Sequence, residues 1–138
     1  MITTTIIEKD IKVFYIKATS FPQGIEEAMQ KLQSLFSFTK ERQIFGLSRP
    51  ENNEGIIYLA AAEELYDGEA ENMQCNTLII PKGRYIAIEI IDFRKDLMNI
   101  GRAFQQLLKA PNLDPQGYCV EWYANDKEAV TCMIRLDE

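Results

Sequence analysis

The residues best suited to chemistry are a carboxylate set among apolar and aromatic neighbours, Val120-Glu121-Trp122-Tyr123, and the tyrosines Tyr15, Tyr58 and Tyr85. A glutamate flanked by Val120 and Trp122 in a strand points to a site more readily than to a solvated surface. Half-polar rings around a carboxylate suit a lipophilic or cationic ligand, by stacking and by cation–π attraction. Any single tyrosine on a sheet face is also what β-propensity alone produces, so the weight falls on Glu121. Histidine is absent, which removes Ser-His-Asp and Cys-His nucleophile pairs and every histidine-containing metal site. Cys75, Cys119 and Cys132 are an odd set without a Cys-x-x-Cys spacing, so neither a disulfide framework nor zinc is expected, and no metal or cofactor is assigned. They read as reduced packing thiols with no basic neighbour to lower their pKa.

The 138 residues, 46% hydrophobic and 26% charged, have the composition of one self-folding domain spanning 1–138. A net charge of −6 argues against direct nucleic-acid binding, which needs clustered Lys and Arg. No basic leader followed by a long apolar stretch opens the chain, and no segment approaches the roughly 20 apolar residues of a membrane span. A cytoplasmic protein without membrane attachment is expected.

Shifted by 72 residues, the chain lies over itself: Val13 to Phe21 falls on Tyr85 to Phe93, with Ile16 meeting Ile88 and Phe21 meeting Phe93. Ile25, Ala28, Leu32, Leu35 and Phe36 recur as Leu97, Ile100, Phe104, Leu107 and Leu108. Three- and four-residue steps of this kind predict amphipathic helices near 22–38 and 94–109. Ser20 with Gln23 reads as a capping box, Asp92 as the matching N-cap and Pro111 as a stop. Two β-type runs follow each helix: 43–48 and 55–61 around Asn52-Asn53, then 118–123 and 130–136 around Asn125-Asp126. Residues 66–77 read as a loop between the halves. The expected fold is α+β, with tandem βαββ repeats at about 9–65 and 78–138. They would share an antiparallel sheet, with helices on one face and a ligand cleft between the halves.

Strand alternation then assigns faces. Phe14-Ile16-Ala18 and Ile86-Ile88-Ile90 are uniformly apolar sets that a helix would cover, Ile57-Leu59-Ala61 joins them, and Trp122 reads as helix-side core. By parity Tyr15, Tyr58, Tyr85 and Tyr123 fall together on the side away from the helices, with Glu89 and Glu121, as the candidate ligand-binding set.

The run Pro81-Lys82-Gly83-Arg84-Tyr85 resembles the Pro-x-Gly-x-Tyr strand entry of the GyrI-like, or AraC-type effector-binding, family, and Glu121-Trp122-Tyr123 resembles its Glu-x-Tyr strand. Ile44-Phe45-Gly46-Leu47-Ser48 is similar to the aromatic-Gly strand after the family's first helix. The resemblance implies a pocket between two βαββ halves, lined by aromatics, with a buried glutamate that attracts cationic lipophilic compounds. Glu121 matches that glutamate, Tyr123 the tyrosine after it and Tyr85 the tyrosine of the strand entry; Tyr15, Tyr58 and Glu89 rest on parity. Many members carry a fused DNA-binding module for which this chain has no room, so a stand-alone drug-sensing or drug-sequestering protein is expected. Two further readings stay open by the same resemblance: a metal-independent hydrolase of reactive small molecules using Glu121, Tyr123 and Tyr58, and an inhibitor with a protein partner such as DNA gyrase.

Overall fold

The strand order of the sheet mirrors the repeat. The computed structural model describes residues 2–36, 42–51, 55–123 and 128–137. Along the chain lie β1 (Thr3–Ile7), β2 (Ile11–Lys17), α1 (Ile25–Gln33), β3 (Ile44–Glu51), β4 (Gly55–Glu63) and α2 (Glu69–Asn72). They are followed by β5 (Asn76–Ile80), β6 (Gly83–Ile91), a 3-10 turn (Phe93–Lys95), α3 (Met98–Leu107), β7 (Cys119–Tyr123) and β8 (Ala129–Arg135). The strands form one sheet in the order β1-β6-β8-β7-β3-β4-β2-β5, antiparallel throughout. It curls into a half-barrel, giving the α+β architecture expected.

Each repeat has one strand more than the sequence suggests. β1 and β5, Thr3-Thr4-Thr5-Ile6-Ile7 and Asn76-Thr77-Leu78-Ile79-Ile80, stand before β2 and β6 and are exchanged: β1 pairs with β6 and β5 with β2. The segment 66–77, read as a loop, instead holds α2 and the start of β5. A buried pair fixes α2, with Arg42 Nη1 and Nη2 donating to Glu69 Oε1 and Oε2 at 2.9 and 2.7 Å.

The capping expectation is also corrected. Gly24, not Ser20, precedes the first turn of α1, and Gly24 N–H donates to the Ser20 backbone carbonyl at 3.1 Å. Asp92 adopts a left-handed φ of 56° before the 3-10 turn and makes no side-chain cap. The turn residues Asn52, Asn53, Asn125 and Asp126 lie outside the described residues.

Both faces of the sheet are buried over its central strands. On one, α1 covers Phe14, Ala60 and Ala62 through Ala28 and Leu32, and α3 covers Ile86, Ile88, Val130 and Ile134 through Ala103, Phe104 and Leu107. On the other, the curl packs the sheet against itself around Val13, Phe45, Leu47, Leu59, Tyr85, Val120 and Met133. Among the described residues, no helix is long and apolar enough to cross a membrane.

Candidate functional site

At the centre of the sheet, β3 and β7 run side by side and place Gly46 opposite Glu121. The row of paired residues through that point runs Ile16, Ala60, Gly46, Glu121, Cys132, Ile88. Ile16 and Ile88 pack under the helices, so Glu121 faces the helix side, at the floor of the gap between α1 and α3.

That gap is a cleft of about 1370 Å³ lined from both halves, by Phe21, Ile25 and Met29 on the α1 side and by Phe93, Leu97 and Phe104 on the α3 side, with Glu121 and Tyr123 below. Glu121 is only 7% exposed. Tyr123 donates its hydroxyl hydrogen to Glu121 Oε1 in a short hydrogen bond, and Tyr58 Oη donates to the same oxygen at 3.3 Å. Among the described residues no donor reaches Oε2 and no basic side chain pairs with the carboxylate.

Space for this arrangement comes from Gly46. A Cβ there would lie 2.1 Å from Tyr58 Oη and 2.9 Å from Glu121 Oε1, so the Tyr58 ring occupies the volume a side chain would need. Phe21 stacks on Tyr58 with ring centres 6.1 Å apart, and Phe93, its mate in the repeat, leans on Tyr123 at 5.5 Å. Each supporting tyrosine is thus covered by the aromatic residue that leads into a helix.

Burial sets the electrostatics. Desolvation lifts the Glu121 carboxyl above its ordinary 4.5, and the hydrogen bonds from Tyr123 and Tyr58 pull it back only in part. Burial, with the Glu121 charge second, raises both phenols above 10.0 and keeps them protonated donors. Burial likewise pushes the Cys119 thiol up to about 11 and the Cys132 thiol to about 12, with Glu121 adding to each, so neither behaves as a nucleophile near neutrality. All three cysteines are free. Among the described residues, no cluster of His, Cys, Asp or Glu could hold a metal ion.

The single tyrosine-lined surface read from parity does not exist. Tyr58, Glu121 and Tyr123 point toward the helices, not away from them, whereas Tyr15 and Tyr85 lie on the opposite face in the curled core. Tyr85, 1% exposed, donates its hydroxyl to the Pro81 carbonyl at 2.5 Å. Glu89 lies between the α3-facing Ile88 and Ile90 and is exposed on that opposite side. Trp122, read as helix-side core, also sits there, packed on Phe45 and donating to Gln43 Oε1 at 2.7 Å. In β4 the reading is inverted: Tyr58, Ala60 and Ala62 face α1, while Leu59 and Ala61 face the curl. Phe21 and Phe93 were not among the candidate site residues, although their match in the repeat was a visible signal.

No family model matches the sequence, and no curated protein matches it. Solved structures do match. An integron cassette protein from the mobile metagenome of Vibrio cholerae superposes with a TM-score of 0.70 at 13% identity, covering 98% of this chain and 95% of that one. SAV2435 bound to tetraphenylphosphonium gives 0.63 at 10% identity, covering 98% and 94%. The EcmrR C-terminal domain gives 0.59 at 14% identity, covering 99% and 95%. At these identities the likeness is one of fold, and it is consistent with the GyrI-like architecture that the motifs around Tyr85 and Glu121 resemble.

Proposed function

We propose that this chain is a small-molecule-binding protein that takes lipophilic cations into the cleft between α1 and α3, serving as a drug sensor or sequestering protein. The observation that carries this reading is a buried carboxylate at the floor of a cleft with apolar and aromatic residues in both walls, held by two phenolic donors and without a basic partner among the described residues. A cation entering the cleft supplies the missing charge and restores the ionisation that burial disfavours. Phe21, Phe93 and Tyr123 offer ring faces, and a desolvated cation over an aromatic ring gains about 2 kcal/mol. Tyr58 acts from behind, aligning Glu121 rather than touching ligand. The tetraphenylphosphonium carried by SAV2435 is a cation of the chemistry this cleft fits. Calorimetric titration of that cation is the test. Micromolar binding, weakened about tenfold or more by Glu121→Gln, is expected. Equal affinity in wild type and Glu121→Gln would end the reading.

A second reading draws on the same carboxyl. A glutamate raised by burial is also equipped to take a proton from water as it attacks a strained electrophile and to pass it to the departing group, which a tyrosine hydroxyl that stays protonated positions by hydrogen bond. Catalytic turnover of such a compound, abolished in Glu121→Gln, would favour it over binding alone.

A further inference from the structure

The cleft straddles the axis that relates the two repeats. Its lining matches Phe21 with Phe93, Ile25 with Leu97 and Gln33 with Gln105, each pair 72 residues apart. In the row of partners beneath it, Ala60 stands 72 residues from Cys132 and Ile16 the same distance from Ile88. Gly46 and Glu121 therefore occupy equivalent places in the two halves, and they are also each other's partners across β3 and β7. A two-fold axis exchanging the halves must pass through that pair. The buried charge sits on the axis, with an apolar strip to either side, Phe21 and Ile25 in one wall and Phe93 and Leu97 in the other, set among polar residues that include Gln33 and Gln105.

From this we infer that the site selects cations whose charge lies at the middle of the molecule, with apolar groups reaching both ways, over amphiphiles charged at one end. The inference rests on the cation-binding reading above. A centrally placed charge can meet Glu121 while its arms cover Phe21 and Ile25 on one side and Phe93 and Leu97 on the other. A ligand charged at one end, held by the same contact, fills one half and leaves the opposite apolar lining in water, forfeiting the burial of that area. One carboxylate serves both halves because its counterpart is Gly46. Two carboxylates facing each other at that spacing would repel, and one would be driven to hold a proton.

Tetrabutylammonium and its straight-chain isomer tridecyltrimethylammonium carry the same atoms and the same charge, centred in the first and terminal in the second. Both are titrated by calorimetry, below the micellar range of the second, against wild type and the near-isosteric Glu121→Gln, whose unfolding curve confirms that it is folded. Although the linear isomer exposes more apolar surface, tetrabutylammonium is expected to bind wild type about tenfold more tightly, and Glu121→Gln to weaken both and remove the difference. Equal affinities, or tighter binding of the linear isomer, with both still dependent on Glu121, overturn the central-charge inference and leave the cation-binding reading standing. If neither cation binds wild type better than Glu121→Gln, the reading itself is overturned, and the inference with it.

Discussion

Gly46 and Glu121 face each other across the central strand pair, and the missing side chain of the first makes room for the tyrosine that holds the second. Gly46→Ala would drive a methyl group to 2.1 Å from Tyr58 Oη. It is expected to destabilise the fold by about 1–3 kcal/mol, as overpacking does, and to weaken cation binding by displacing Glu121. Adding Tyr58→Phe removes the hydroxyl contact but leaves the ring carbon at 2.8 Å. The double variant should recover part of the loss, a non-additivity that urea denaturation of the four proteins would measure.

Glu121 makes the free protein more stable in mild acid. Its folded pKa lies above the ordinary 4.5, so over the interval between the two values the folded chain holds a proton that the unfolded chain releases. The contribution is fully present below 4.5 and is lost as pH rises through the raised value. Glu121→Gln should remove this slope, gaining stability relative to wild type as pH rises and losing the gain in acid. Chemical denaturation across pH 4 to 8, with both proteins in parallel, checks the sign. Cys119 and Cys132, the other titratable neighbours besides the two phenols, stay protonated across that range.

Cation binding should release protons. The ligand favours the ionised carboxylate, so wherever free Glu121 is partly protonated, binding expels a proton into the buffer. Calorimetry in two buffers of different ionisation enthalpy should then report different apparent heats for wild type and equal heats for Glu121→Gln.

The pair at α2 has the opposite sign. Hydrogen bonds from Arg42 are the main cause that lowers the Glu69 carboxyl below 4.5, so its contribution is present above 4.5 and lost as pH falls through the lower value. Arg42→Met would leave Glu69 buried without its partner, at an expected cost of about 3–5 kcal/mol. Thermal unfolding at neutral pH would show it, and the deficit should shrink in acid as Glu69 takes up a proton.

Gly101 lines the cleft from inside α3, with open space where a side chain would go. Gly101→Ala should stabilise the helix by about 0.5–1 kcal/mol. Gly101→Phe should instead fill the α3 side of the cleft and weaken tetraphenylphosphonium by roughly tenfold. Both effects are read by thermal shift and titration on the same preparations.

The helices and hairpins were legible because their signals are local: the stripe from Ile25 to Phe36 needs only a helical period. The faces of β2 and β6 were legible too, since Phe14, Ile16 and Ala18 and Ile86, Ile88 and Ile90 lie under the helices as their uniform apolarity suggests; those of β4 and β7 were not. Parity needs one polar side, and β4 has none, because α1 covers Tyr58, Ala60 and Ala62 while the curl covers Leu59 and Ala61. Size then misled, placing Trp122 under the helices and Glu121 away from them. Glu121 itself was legible as an intruding charge; its orientation depends on the register of β3 against β7, a contact between segments far apart in sequence. The leading strands were missed although Thr4, Ile6 and Ile7 recur as Thr77, Ile79 and Ile80.

The exchange of β1 and β5 ties the halves together in time as well as in space. β1 is made first, yet its partner β6 emerges only after the whole first repeat, and β2 waits for β5 before its outer edge is closed. A nascent chain halted after β4 would carry α1 on a three-stranded sheet with two raw edges, β2 lacking β5 and β3 lacking β7, and an orphan strand rich in threonine and isoleucine. Pairings that span most of the chain are slow to form, because closing a long loop costs entropy before any contact offsets it. Synthesis therefore has to reach β5 to cover β2, β6 to pair β1 and β7 to cover β3, and the first half spends that interval as a surface to which other unfinished strands can add.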